Sequence, residues 1–202
     1  MNSVKGWPFV SLLFGLALQG YACNSAANTS ATLDINSTIT GGTCQVSVSN
    51  GGLIQLDTAP THALENIRPD EYAPGGHDFS LTIVNCDVDL QQPGNGTLAI
   101  RFTPAVGAFV GDTQQVLPNE TSPAQGGAKN VGFAVFTASD PAAMRNVERA
   151  NGGGSSVAYP VNNTSLLNST YPFYVRYQKI KAAEAMSGGL VYSQALIEVS
   201  YD

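Results

Sequence analysis

The chain has 202 residues, 43% hydrophobic and 12% charged, with a formal net charge of −6. A globular domain ordinarily carries about 25% charged residues, so uncharged polar side chains must cover most of this surface. Nine basic against fifteen acidic side chains leave no basic stripe for a phosphate backbone, which excludes nucleic-acid binding, and an ordinary apolar content with modest charge excludes a mainly disordered chain.

Residues 1–22 read as a secretory signal peptide. Lys5 is the one charge before Asp34, and the apolar run Trp7–Leu18 falls short of the roughly 20 residues needed to span a bilayer. Small residues at Gly20 and Ala22 place a cut after Ala22. Cys23 then stands first, either as an inconsequential leading residue or as a lipid-modified anchor; Gly20, three positions before it, fits the second reading poorly.

Beyond the leader, period-two alternation recurs at short intervals broken by Gly, Pro and Asn. It predicts strands at Leu33–Ile39, Cys44–Val48, Leu53–Leu56, Phe79–Val84, Thr97–Phe102, Asn130–Phe136, Pro172–Tyr177 and Leu190–Tyr201. Pro141–Ala150 opens with a helix-start pair, Asp140-Pro141, but ends at Gly152-Gly153-Gly154 and reads as a loop excursion. Many short strands with turn signals point to an all-β sandwich or barrel in one domain. Export puts the chain where disulfides persist, and Cys44 and Cys86, both in strand-like stretches, are expected to pair. The last strand is the most telling. Val191, Ser193, Ala195, Ile197, Val199 and Tyr201 share one face of a run about twice the modal strand length. Such a strand must be covered on both sides, since little charge, Pro or bulging blunts it.

Chemistry-bearing motifs are sparse. His62 and His77 are the only histidines, and neither sits in a nucleophile motif. No Cys-x-x-Cys or His-Glu-x-x-His spacing offers a metal site, so no catalytic residue, metal or cofactor is assigned. Asp87 and Asp89 could share a strand face, as paired carboxylates do in glycosidases, but a solvated turn explains them better. Asn-x-Ser/Thr triplets begin at Asn28, Asn36, Asn95, Asn119, Asn162, Asn163 and Asn168 and read as polar surface.

Three stretches resemble the pilin subunits of the bacterial chaperone–usher pathway, of the type 1-like kind. Leu33–Val46 leads through a small-residue turn to the first cysteine, Phe79–Cys86 ends in the second, and Gly188–Asp202 carries a glycine fourteenth from the end and a penultimate tyrosine. The resemblance implies an incomplete immunoglobulin-like β-sandwich, the pilin fold, completed by a donor strand. It divides the chain into a signal at 1–22, a donor extension at 23–36 and a pilin domain at 37–202. The acceptor groove would be edged by Gly189, Val191, Ser193, Ala195, Ile197, Val199 and Tyr201. The donor face would be Ala27, Thr29, Ala31, Leu33 and Ile35, of which only Leu33 and Ile35 are large, so pairing would lean on backbone bonds. Implied partners are neighbouring subunits, a periplasmic chaperone, an outer-membrane usher and a host receptor, with the chain exported through the periplasm to a surface fimbria. The alternative reading is a single-domain carbohydrate-binding adhesin of the fimbria.

Overall fold

Alternation decides which face of each strand is buried, and the resulting apolar faces close on one another. The computed structural model describes residues 31–39, 45–84, 96–161 and 169–201. Within them run nine strands: β1 (Ala31–Ile39), β2 (Gln45–Val48), β3 (Leu53–Leu56), β4 (His77–Val84), β5 (Gly96–Pro104), β6 (Val131–Thr137), β7 (Val157–Val161), β8 (Ser169–Lys179) and β9 (Val191–Tyr201). They form two sheets, β3-β1-β9-β5-β7 and β2-β4-β8-β6, an all-β sandwich of immunoglobulin-like type. Every strand pairing among the described residues is antiparallel except β1 with β9, which is parallel.

The inward faces interlock in one core. Leu33, Ile54, Leu98, Ile100, Phe102 and Ile197 from the first sheet meet Leu81, Ile83, Phe133, Phe173 and Val175 from the second. Phe102 sits edge-on to Phe173 at 5.0 Å, and Phe79 stacks on Phe173 at 5.5 Å, the offset and T-shaped geometries that aromatic quadrupoles favour.

One strand was missed by the sequence reading. Val157 and Tyr159 alternate as a strand should, although the segment carries Pro160. β7 is an edge strand of the five-stranded sheet, where a missing amide costs no ladder bond. The loop excursion at Pro141–Ala150 is a series of turns, whose end returns along β6 with Thr137 N–H donating to Arg145 O and Val147 N–H to Val135 O. With Leu117 bridged to Phe133 as well, β6 is not left as a bare edge.

The outer face of the second sheet is also covered, which ends the in/out alternation of β8 after Pro172. Arg176, 2% exposed, explains why. Its Nη2 donates to Arg68 O and Glu71 O at 2.8 and 2.6 Å, and Nη1 donates to Tyr177 O and to Gln178 Oε1. Gln178 Nε2 donates to Ile67 O, Tyr174 Oη to Ala73 O and Asn146 Nδ2 to Pro69 O. One strand face thus pins the segment 67–73 across the sheet. Burial draws the guanidinium pKa down to about 10, while its carbonyl acceptors and the Phe136 ring at 5.0 Å compensate for lost water.

Burial also pushes the hydroxyls of Tyr171 and Tyr177 up from 10.0 to about 12. The unfolded chain sheds these protons first, so their linkage leaves stability intact below pH 10 and lowers it between 10 and 12. In an ultraviolet titration of tyrosinate, a late fraction should ionise near pH 12 together with loss of near-ultraviolet circular dichroism. Complete ionisation near pH 10 with the fold intact would contradict this packing.

Candidate functional site

The site begins with the alternation of β9. Val191, Ser193, Ala195, Ile197 and Val199 are buried, while Leu196 and Glu198 between them are exposed. Toward its end β9 pairs with β5, from Ala195↔Pro104 to Tyr201↔Leu98. Along its other side lies β1, in register from Ala31↔Val191 to Ile39↔Val199. The sequence requires a cover for β9 without saying whose, and here the cover is the chain's own. In this structure, therefore, no open groove flanks the strand.

Residues predicted for two different roles meet inside one molecule. Ala31, Leu33 and Ile35, on the expected donor face, are 1%, 0% and 4% exposed. They lie across from Val191, Ser193 and Ala195, on the expected acceptor face. Ala27, Thr29, Cys44 and Cys86 lie outside the described residues, as do Cys23, Asp87 and Asp89. Gly189 stands just before β9, where a Cβ would come within 2.5 Å of Ala128 N; only glycine lets the strand start so close to that turn. A cavity of about 60 Å³ sits there, lined by Leu64, Val131, Tyr177, Gly189 and Val191 among others.

β1 continues unbroken across residues 36 and 37, where the sequence reading divides arm from domain. On its far side it pairs with β3 from Ala31↔Leu56 to Asp34↔Leu53. Gly52 precedes β3 at φ +84, and a Cβ there would lie 2.4 Å from Ile35 O, so this turn needs glycine for conformation and for space.

Several residues that hold the site have no such role in the sequence reading, where Asn119 reads only as polar surface. Asn119 Oδ1 accepts from Tyr192 N–H at 3.0 Å, its Nδ2 donates to Leu190 O, and Glu120 Oε1 accepts from Gln194 N–H at 2.7 Å. These side chains stand in for a strand along the first part of β9, where β5 does not reach. On the outer face Gln194 Nε2 donates to Asp34 Oδ2 at 3.1 Å, clasping β1 to β9. The pattern Tyr192, Gln194 alternating with apolar residues marks an outward face, but nothing in it names Asp34 or Asn119 as partner.

One atom in the site is not satisfied. Ser193 is fully buried and its Oγ has no hydrogen-bond partner among the described residues; its neighbour on β1 is Leu33, which offers no side-chain acceptor. The two histidines lie apart from all this and are exposed, His62 in a short 3-10 turn and His77 at the start of β4. No cluster of three His, Cys, Asp or Glu side chains suited to a metal occurs among the described residues.

No family model matches the chain. Comparison with curated proteins finds the uncharacterized fimbrial-like protein YadK of Escherichia coli (strain K12), 33% identical over 197 residues, covering 96% of this chain and 93% of that protein. Identity at that level across nearly the whole length, joined to the all-β sandwich, establishes that the chain belongs to the fimbrial pilin family.

Proposed function

We propose that the chain is a structural subunit of a chaperone–usher fimbria that polymerises by exchanging strands, the arm containing β1 of one copy filling the groove beside β9 of the next. The observation that carries this reading is the parallel β1–β9 register, in which a strand at the start of the described chain lines one side of the last strand from Val191 to Val199. An end segment of that kind can be swapped between identical copies without new chemistry, because backbone bonds give affinity and alternate side chains give fit.

The proposal is structural rather than enzymatic. It includes passage through the periplasm, where a chaperone would cover β9 until assembly at an outer-membrane usher, and a place in surface fibres that support adhesion. A Cys44–Cys86 disulfide belongs to it. The β2–β4 ladder runs to Gln45↔Val84, one residue after Cys44 and two before Cys86, so a bridge there would tie β1's following segment to the second sheet.

Immunogold microscopy of cells producing an epitope-tagged chain tests the reading. Label along surface fibres is expected. Label confined to the periplasm, with fibres bare, would overturn it.

A further inference from the structure

A cavity of about 490 Å³ lies at the end of β8, between the segment 65–70 and the loop 112–115. Two side chains that line it, Gln115 and Thr113, each carry an oxygen, Oε1 and Oγ1, with no hydrogen-bond partner among the described residues. Gln115 is 4% exposed, and its Nε2 donates to Glu148 O at 2.8 Å, which fixes the carbonyl as the end of the amide left over. Nearly every buried polar group in a folded protein has a partner. Two bare acceptors beside one cavity therefore call for a donor inside it.

Charge on the same walls says which donor. Arg68 and Asp70 neutralise each other at 2.9 Å, which leaves the exposed carboxylates of Glu65 and Asp112 against Lys179. Asp112 Oδ2 already accepts from Ala182 N–H at 3.0 Å, so that carboxylate is held in place. The excess is negative, in a chain of net charge −6, and favours a cation. A bare metal ion is poorly served, since no group of three His, Cys, Asp or Glu side chains among the described residues could hold one, and Ile67, Pro69 and Ile180 make part of the wall apolar.

We infer that this cavity binds an aliphatic primary ammonium, in the form of a free diamine. An ammonium group brings three donors and no acceptor, which answers the bare oxygens and the carboxylate excess together. Hydrogen bonds from an ionised donor are roughly twice as strong as neutral ones, so a hydroxyl in the same place gains less. The alkyl chain lies against the apolar wall, in a volume within the roughly 300–1,000 Å³ range of ligand sites. Neither β1 nor β9 lines the cavity, so the site is independent of strand exchange.

Saturation-transfer NMR on the chain purified from the periplasm tests this with diaminopentane, pentylamine, pentanol and a lysine blocked at both its amino and carboxyl ends as probes. Transfer to the methylenes of both amines and none to pentanol at the same concentration is expected. A Glu65→Gln, Thr113→Val variant should bind diaminopentane about tenfold or more weakly, the loss expected for a charge-assisted hydrogen bond. Glu65 is exposed and the Thr113 hydroxyl has no partner to lose, so a melting temperature that does not fall will verify folding. Transfer to pentanol equal to that of the amines, no transfer to either amine (a cavity that holds water only), or unchanged binding by the variant would each overturn the assignment. So would displacement of the diamine by calcium chloride beyond that by sodium chloride of equal ionic strength. Binding of the blocked lysine in preference to the diamine would assign the cavity to a protein side chain and overturn the free ligand.

Discussion

A chain that starts at Ser37 will lose most of its stability and recover it when a synthetic peptide covering residues 24–39 is supplied. The truncation removes Ala31, Leu33 and Ile35, all buried, and the residues of β1 that pair with β3. Deleting a buried Leu or Ile side chain down to Ala costs about 2–5 kcal/mol, so two such losses rival the roughly 5–15 kcal/mol that holds a domain folded. The exposed side of β9 would then present unpaired amides and carbonyls, which favours aggregation. At a hundred times its dissociation constant, a peptide that binds only the folded state returns about 2.7 kcal/mol. Thermal and urea melts with and without peptide measure this. If the truncated chain aggregates, Leu33→Ala in the full chain still reports, with an expected loss of about 2–5 kcal/mol. A truncated chain that melts like its parent, or a Leu33→Ala change of a few tenths of a kcal/mol, would show that β1 is not the element completing the sandwich.

The strands were largely readable because a half-buried strand writes its burial into alternate residues. β9 shows this best, its buried and exposed positions following the expected faces from Val191 to Val199. Alternation is silent about partners. The same Ala31-x-Leu33-x-Ile35 pattern suits a strand that enters a neighbour's groove and one that lies in its own, and a parallel or antiparallel approach leaves no different mark. Arg176 was illegible for another reason: a charged residue inside a strand reads as outward and solvated, and only the carbonyls of the distant segment 67–73 make it a buried one. β7 is absent from the predicted strands, and its short run with Pro160 inside it gives little alternation to read. Asn119 looked like surface, although its amide spans the start of β9.

Tying β1 to β9 should abolish assembly while leaving the monomer folded. Under the proposed exchange, two features would make the closed pairing weaker than its replacement. Parallel ladders are slightly less stable per residue than antiparallel ones, and an arm arriving from another molecule is free of the connection that fixes its direction here. The buried Ser193 hydroxyl, unpartnered opposite Leu33, adds a penalty of about 1–3 kcal/mol that a different side chain at that position would remove. Under the proposed exchange, the closed monomer opens once the arm leaves. Asp34→Cys with Gln194→Cys prevents that departure. The two residues are direct partners in the ladder and their side chains already touch at 3.1 Å on the outer face, and neighbouring strands, about 4.7–4.9 Å apart, fall within the roughly 4.4–6.8 Å that disulfides bridge between Cα atoms. Oxidised, the variant should remain monomeric by light scattering and be missing from fibres; mildly reduced, it should assemble as the parent does under the same conditions. Assembly of the oxidised variant at the parent's rate would mean that β1 never leaves its groove during polymerisation, and strand exchange through this site would have to be abandoned.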